Sequence, residues 1–73
     1  MTVADALQVA VEHQKAGRLS EAAAIYEHVL RADPNCADAL YLLGRVHHGL
    51  GQYDVAVDLF RKAVAVDSSE PSF

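Results

Sequence analysis

Four histidines are the first residues in this 73-residue sequence to examine for metal binding or acid–base chemistry. Metal-binding helices place His or Glu ligands three or four residues apart, and the sequence has no His-x3-His or Glu-x2-His pair. His47 and His48 are neighbours, so on a helix their side chains point about 100° apart. We therefore expect no metal site. His13 and His47 are predicted to be partly buried with one ring nitrogen hydrogen-bonded, and His28 is predicted to face solvent.

The other reactive side chains also lack the spacing of a catalytic site. A catalytic carboxylate pair shares a cleft and has shifted pKa values, whereas several acidic residues here fall at predicted helix starts, where they complement the helix dipole. Cys36 lies near the start of a predicted helix, where the dipole would lower the pKa of a reactive thiol. The alternative, a small residue that fills a turn, is favoured because no histidine is paired with it. The sequence thus predicts no enzyme active site and no cofactor.

Composition narrows the class of protein further. Ten acidic and six basic residues give a net charge of −4, which argues against nucleic-acid binding, because that requires a clustered basic surface. The longest apolar run, Ala39–Leu43, is far shorter than the roughly 20 residues of a membrane span. Asp5 and Glu12 interrupt the first residues, and no basic segment precedes them, so a signal peptide is not indicated. We expect a cytoplasmic protein with no nucleic-acid and no membrane partner.

An internal duplication indicates which elements position these residues. Sliding the sequence by 34 positions aligns it with itself without a gap, which is the mark of a repeat architecture. The prediction is one domain over residues 1–73, with repeat one at 3–36, repeat two at 37–70, and 71–73 as a tail or the start of a third repeat. The coinciding pairs include Ala10 with Gly44, His13 with His47, Gly17 with Gly51, Ala22 with Ala56, and Tyr26 with Phe60.

Each copy is predicted to form two helices, because apolar residues recur at three- and four-residue spacing and no segment alternates like a strand. Thr2, Ser20 and Asn35 are the predicted N-caps of the first three helices. Gly17 and the segment Gly49–Gly51 are predicted to end the first helix of each copy. The fold class is therefore all-α, with four antiparallel helices and a short C-terminal tail. The expected helices run from about Val3 to Ala16, from the Ser20 cap to about Ala32, from the Asn35 cap to the Gly49–Gly51 segment, and from about Asp54.

A helix–turn–helix unit of 34 residues with small residues at fixed places resembles the tetratricopeptide repeat. The resemblance implies a short right-handed α-solenoid segment that is non-catalytic and binds a protein partner. Both positions where the family has its first Tyr hold His, Ala6 replaces a Trp, and Ser68 replaces the terminal Pro. The matching residues are Ala6, Val9, Ala10, His13, Gly17, Leu19, Ala22, Tyr26, Val29 and Pro34 in the first copy, and Leu40, Leu43, Gly44, His47, Gly51, Tyr53, Ala56, Phe60 and Ala63 in the second.

The family's partners usually bind along a concave groove lined by the first helix of each repeat, so the resemblance implies a peptide or helix ligand there. Helical spacing identifies the residues on that face in this chain. The alternative interpretation is an ordinary solvent-facing surface, with Leu7 and Tyr41 packed on a neighbouring helix. A receptor for chaperone tails is not expected, since Gln8 and Leu42 stand where an asparagine would be needed. The candidate partner-binding residues are Leu7, Val11, Gln14, Lys15, Asp38, Tyr41, Arg45 and His48.

Two function classes remain open at this stage. One is a protein-interaction scaffold; the other is the N-terminal repeat region of a larger bacterial transferase-type enzyme, which would contribute docking or oligomerisation. Residues 70–73 lie in the register where a third repeat would begin, so a fragment of a longer array is expected. Because about three repeats are usually needed for stability, the isolated chain is predicted to form a homodimer through its exposed C-terminal helix. The apolar residues of that helix are Leu59, Phe60, Ala63, Val64 and Val66.

Overall fold

Four α-helices make up residues 2–67, the part of the chain that this computed structural model describes. No strand occurs within that range, which confirms the all-α prediction. Equivalent helices begin 34 positions apart, as the duplication requires. The predictions made for Ser68 and for residues 70–73 lie outside the described residues. The helices are α1 (Val3–Lys15), α2 (Leu19–Ala32), α3 (Ala37–Gly49) and α4 (Tyr53–Asp67).

The turns within the two helical hairpins close in the same way. Gly17 and Gly51 have positive φ values of 84° and 81°, a conformation that costs glycine little because it has no Cβ atom. In each turn, the amide of the residue after the glycine donates to the carbonyl five residues before it, which satisfies a group that the helix end would otherwise leave unpaired. These bonds run from Arg18 to His13 and from Gln52 to His47, both at 2.8 Å.

Only one of the three predicted N-caps is confirmed. The Thr2 hydroxyl accepts from the Asp5 amide at 3.1 Å, and the Asp5 carboxylate accepts from the Thr2 amide at 3.3 Å, so this pair forms a capping box. Ser20 is wrong as a cap, because the turn at Gly17 makes Arg18 the N-cap and α2 begins at Leu19. Asn35 is also wrong, because the N-cap of α3 is Cys36; Asn35 lies within the inter-repeat turn, where its amide donates to the Asp33 side chain.

Each helix packs on the next one in the sequence, and α1 also touches α3. Tyr26 of α2 is fully buried at the centre of the core, whereas its counterpart in α4, Phe60, is only half-buried. The difference arises because α3 covers the outer face of α2, and no described helix covers the same face of α4. The buried core residues are Ala6, Ala10, Ala22, Tyr26, Val29, Ala39, Leu40, Leu43, Val46, Leu59 and Ala63.

The close approach of α3 and α4 explains one of the small residues in the repeat. A Cβ atom placed on Gly44 would lie 2.7 Å from Cε1 of Phe60, which is far inside van der Waals contact. Glycine at position 44 therefore lets the Phe60 ring lie directly against the α3 backbone. Position 44 is accordingly a packing position in the contact between α3 and α4.

Candidate partner-binding groove

A groove of about 580 Å³ lies along α1 and α3. Three of its lining residues come from the end of α1 (Val11, Gln14 and Lys15) and two further predicted ones from α3 (Arg45 and His48). The structure therefore brings together five of the eight residues that the sequence assigned to the partner-binding face. The full lining is Val11, Gln14, Lys15, Leu19, Leu42, Arg45, His48, Gly49 and Phe60.

The other three predicted residues lie elsewhere. Asp38 and Tyr41 line a separate depression of about 470 Å³ at the edge between α3 and α4, together with Phe60 and Val64. The Tyr41 ring is half exposed and lies against the Phe60 ring, with centroids 5.5 Å apart. Leu7 lines neither depression and packs against the core, which is the alternative that the sequence left open for it. The predicted face is thus divided, and Phe60 borders both parts.

A buried hydroxyl supports the groove from below. Tyr26 extends from α2, and its hydroxyl donates to Oε1 of Gln14 at 2.9 Å. Burial raises the pKa of Tyr26 above its ordinary value of 10.0, while the nearby Arg45 guanidinium partly lowers it. The phenol is therefore protonated at neutral pH and acts as the donor in this bond. Tyr26 couples the core of the domain to the orientation of a groove side chain.

The charged groups of the groove are all cationic. Lys15 and Arg45 line it, and neither forms an ion pair with any carboxylate in residues 2–67. His48 lies beside them, with its ring edge-on to Tyr53 at a centroid distance of 5.0 Å. A protein with a net charge of −4 therefore presents a positive groove.

The two duplicated histidines differ in their hydrogen bonding. Nδ1 of His47 lies within hydrogen-bond distance of Oε1 of Gln52 and donates to it, as predicted for this residue. The same prediction for His13 is wrong at its Nδ1, which is buried and has no hydrogen-bond partner. At the position that corresponds to Gln52, the first repeat has Arg18, which forms no hydrogen bond to this nitrogen. His28 is exposed, as expected.

The histidines and Cys36 do not converge on a metal-binding cluster in the described part of the chain. Within residues 2–67, no group of three or more His, Cys, Asp or Glu side chains is placed to hold a metal ion. Cys36 is half-buried and packs against the core, which matches the turn-filling alternative. None of the helices in this range has the length and apolar character needed to cross a membrane.

Sequence reasoning missed four of the residues that line the groove: Leu19, Leu42, Gly49 and Phe60. Leu42 is about 100° around the helix from the predicted residue Tyr41, yet it lines the groove. Leu19 and Gly49 approach each other where α2 begins and α3 ends, with 3.3 Å between a leucine methyl and the position of a Cβ on Gly49. Phe60 was predicted to lie on the apolar face of the C-terminal helix, and only the packing of α4 on α3 shows that it also reaches the groove.

A comparison with protein families gives the class to which this fold and groove belong. The family model described as "Tetratricopeptide repeat" matches residues 7–71. Because this match covers most of the sequence, the chain belongs to the tetratricopeptide repeat family, and the resemblance found in the sequence is confirmed. Repeats of this family generally mediate protein–protein interactions and are typically non-catalytic. A comparison with curated proteins finds no match.

Proposed function

We propose that this chain is a non-catalytic interaction module that binds a peptide segment or a helix of a partner protein in the groove between α1 and α3. The single observation that carries the proposal is the convergence of side chains from two repeats on one concave surface. Val11, Leu42 and Phe60 offer apolar contact there, and Gln14 and Arg45 offer hydrogen-bond donors. Concave sites with an apolar lining and a few fixed polar groups are the usual form of a binding site.

The aromatic edge beside the groove extends the proposed binding surface. Tyr41 and Arg45 lie one helical turn apart on α3, and both are exposed. Tyrosine and arginine are enriched among the residues that dominate binding energy at protein interfaces. A bound segment that follows α3 from Arg45 toward Asp38 would contact Tyr41 and the rim of the second depression.

The test uses peptides selected from a displayed random library on the immobilised chain. Tyr41→Ala and Arg45→Glu should each weaken the selected peptide's binding at least several-fold while leaving helicity and melting temperature nearly unchanged, because both side chains are exposed. The contrasting control is Ala56→Leu, a substitution at a fully buried helix contact. It should lower the free energy of unfolding by about 1–3 kcal/mol through overpacking. Selected peptides that bind the groove variant Arg45→Glu and the edge variant Tyr41→Ala with full affinity would contradict the proposal. A melting loss at Tyr41→Ala equal to that of Ala56→Leu would assign Tyr41 to the core.

A homodimer of the isolated chain through α4 forms a second part of the proposal. Val57 and Val64 are 45% and 64% exposed on the outer face of α4, next to the half-buried Phe60. Ala23 and Leu30, their counterparts on α2, are half-buried against the core, so the repeat plan normally covers this face. Exposed apolar patches of this kind are association sites.

A further inference from the structure

The polar lining of the groove contains hydrogen-bond donors and no carboxylate. Its polar side chains are Gln14, Lys15, Arg45 and His48. Lysine and arginine have donors and no acceptor, and among residues 2–66 no acidic side chain lines the groove. The lining therefore has the opposite sign to the protein as a whole, so its charge is a local property of this surface.

Gln14 is the one lining amide, and the fold fixes which of its two ends faces a ligand. Its Oε1 accepts from the Tyr26 hydroxyl, and that hydroxyl comes from a fully buried ring. The amide nitrogen has no partner among residues 2–67, so its two hydrogens remain available. A glutamine amide can both donate and accept hydrogen bonds, but the oxygen of Gln14 is already engaged by Tyr26, so Gln14 offers the groove its donor nitrogen.

The acidic groups nearest to the two permanent cations on their own helices lie outside the groove lining. Glu12 lies one turn before Lys15 on α1, and Asp38 lies two turns before Arg45 on α3. Neither carboxylate lines the groove or forms an ion pair with these cations. Lys15 and Arg45 therefore lack an ion-pair partner in the part of the chain that the structure describes.

We infer that the groove recognises Asp or Glu side chains in an acidic segment of a partner protein, with Arg45 and Lys15 as the charged contacts and Gln14 as an oriented amide donor. This inference rests on the proposed function, since it assigns the chemistry of that same site. A guanidinium can bind a carboxylate through two parallel hydrogen bonds, and apolar neighbours of the acidic residues contact Val11 and Leu42. A protein segment is favoured over a nucleic acid because only two permanent cations line the groove and the net charge is negative.

The experiment uses four fluorescein-labelled dodecapeptides with blocked ends and identical apolar residues, carrying Glu, Gln, Lys or phosphoserine at the intervening positions. Binding to the 73-residue chain is measured by fluorescence anisotropy at 50 and 300 mM NaCl. The Glu peptide should bind about ten-fold more tightly than the Gln peptide, and the advantage should shrink at high salt. Blocked ends ensure that a side-chain carboxylate, not a terminal one, gives the signal.

Groove variants locate the effect. Arg45→Gln and Lys15→Gln should each lower the affinity for the Glu peptide by about two- to five-fold, which is the range of an exposed ion pair. The affinity for the Gln peptide should stay unchanged. Arg31→Gln is the matched control, because it removes the same charge from an exposed position on α2 outside the groove. It should change neither affinity beyond the general effect of net charge.

The outcomes separate this inference from the proposed function. Equal binding of the Glu and Gln peptides, with both lost in Val11→Tyr, which fills the groove at constant charge, would overturn the acidic preference and leave the groove as the binding site. Tighter binding of the phosphoserine peptide by ten-fold would overturn the carboxylate assignment in favour of phosphate. Binding by none of the four peptides, or binding that Val11→Tyr leaves unchanged, would overturn both.

Discussion

At the scale of single residues, the two repeats differ most informatively around their shared histidine. His47 is satisfied by Gln52, whereas His13 has a buried Nδ1 without a partner, and Arg18 stands at the position of the glutamine. A buried polar atom left without a hydrogen bond costs stability, whereas a bond made to it contributes about 0.5–1.5 kcal/mol. A single substitution at position 18 can therefore supply the hydrogen bond that His13 lacks.

Arg18→Gln is expected to raise the free energy of unfolding by about 0.5–1.5 kcal/mol, because the new amide can pair with Nδ1 of His13 in the way that Gln52 pairs with His47. Urea denaturation of the variant measures the change. Arg18→Met removes the same charge without supplying an acceptor, and it serves as the control. An equal gain from both variants would show that the charge, and not the hydrogen bond, limits stability at this turn.

At the scale of the elements, the contact between α3 and α4 depends on a missing methyl group. Gly44→Ala is expected to lower stability by about 1–3 kcal/mol, because its Cβ would lie 2.7 Å from the Phe60 ring. The Phe60 ring is half-buried, so it must shift to admit the added methyl group. In a Phe60→Leu background, the stability lost through Gly44→Ala should be smaller by at least about 0.5 kcal/mol, because the effects of substitutions at two residues in contact are not additive. Equal costs in the two backgrounds, measured by urea denaturation, would place the strain somewhere other than at Phe60.

The element boundaries also show how far the sequence predicts this fold. Helical spacing and the duplication were sufficient to predict the four helices. The apolar stripes define the helical segments, and the glycines at positions 17 and 51 limit where they can start and end. The caps at Ser20 and Asn35 failed because residue type alone does not define an N-cap. The turn at Gly17 places the start of α2 so that Arg18 is its N-cap, and the inter-repeat turn places Cys36 at the N-cap of α3.

At the scale of the whole molecule, the groove was predictable in part. Val11 and Arg45 follow from helical spacing and the family resemblance, which together define one face of α1 and α3. Phe60 and the separation of Tyr41 from the groove do not follow, because they depend on how α4 packs against α3. The orientation of Gln14 is equally invisible in the sequence, since it requires the Tyr26 hydroxyl from the helix between them.

The outer face of α4 has a pattern that suits a second copy of the same chain. Val57, Phe60, Arg61 and Val64 border one depression of about 390 Å³, and their positions are symmetric about the midpoint between residues 60 and 61. An antiparallel copy of α4 would therefore place Val57 opposite Val64 of the second chain, and Phe60 opposite its Arg61. A guanidinium over an aromatic ring is attractive, and a two-fold contact of this kind closes on itself, whereas a head-to-tail contact would propagate.

Sedimentation of the isolated chain at tens of micromolar, under reducing conditions that exclude a Cys36 disulfide, is expected to show a dimer that dissociates on dilution. Its melting temperature should rise with concentration, because association stabilises the folded state by mass action. Val64→Glu should abolish the dimer by placing a charge in the apolar contact. Val9→Glu is the matched control on an exposed valine of α1, and it should leave the dimer intact. Loss of the dimer in both variants would indicate a head-to-tail contact between α1 and α4, and a concentration-independent monomer of high melting temperature would show that two repeats are stable alone.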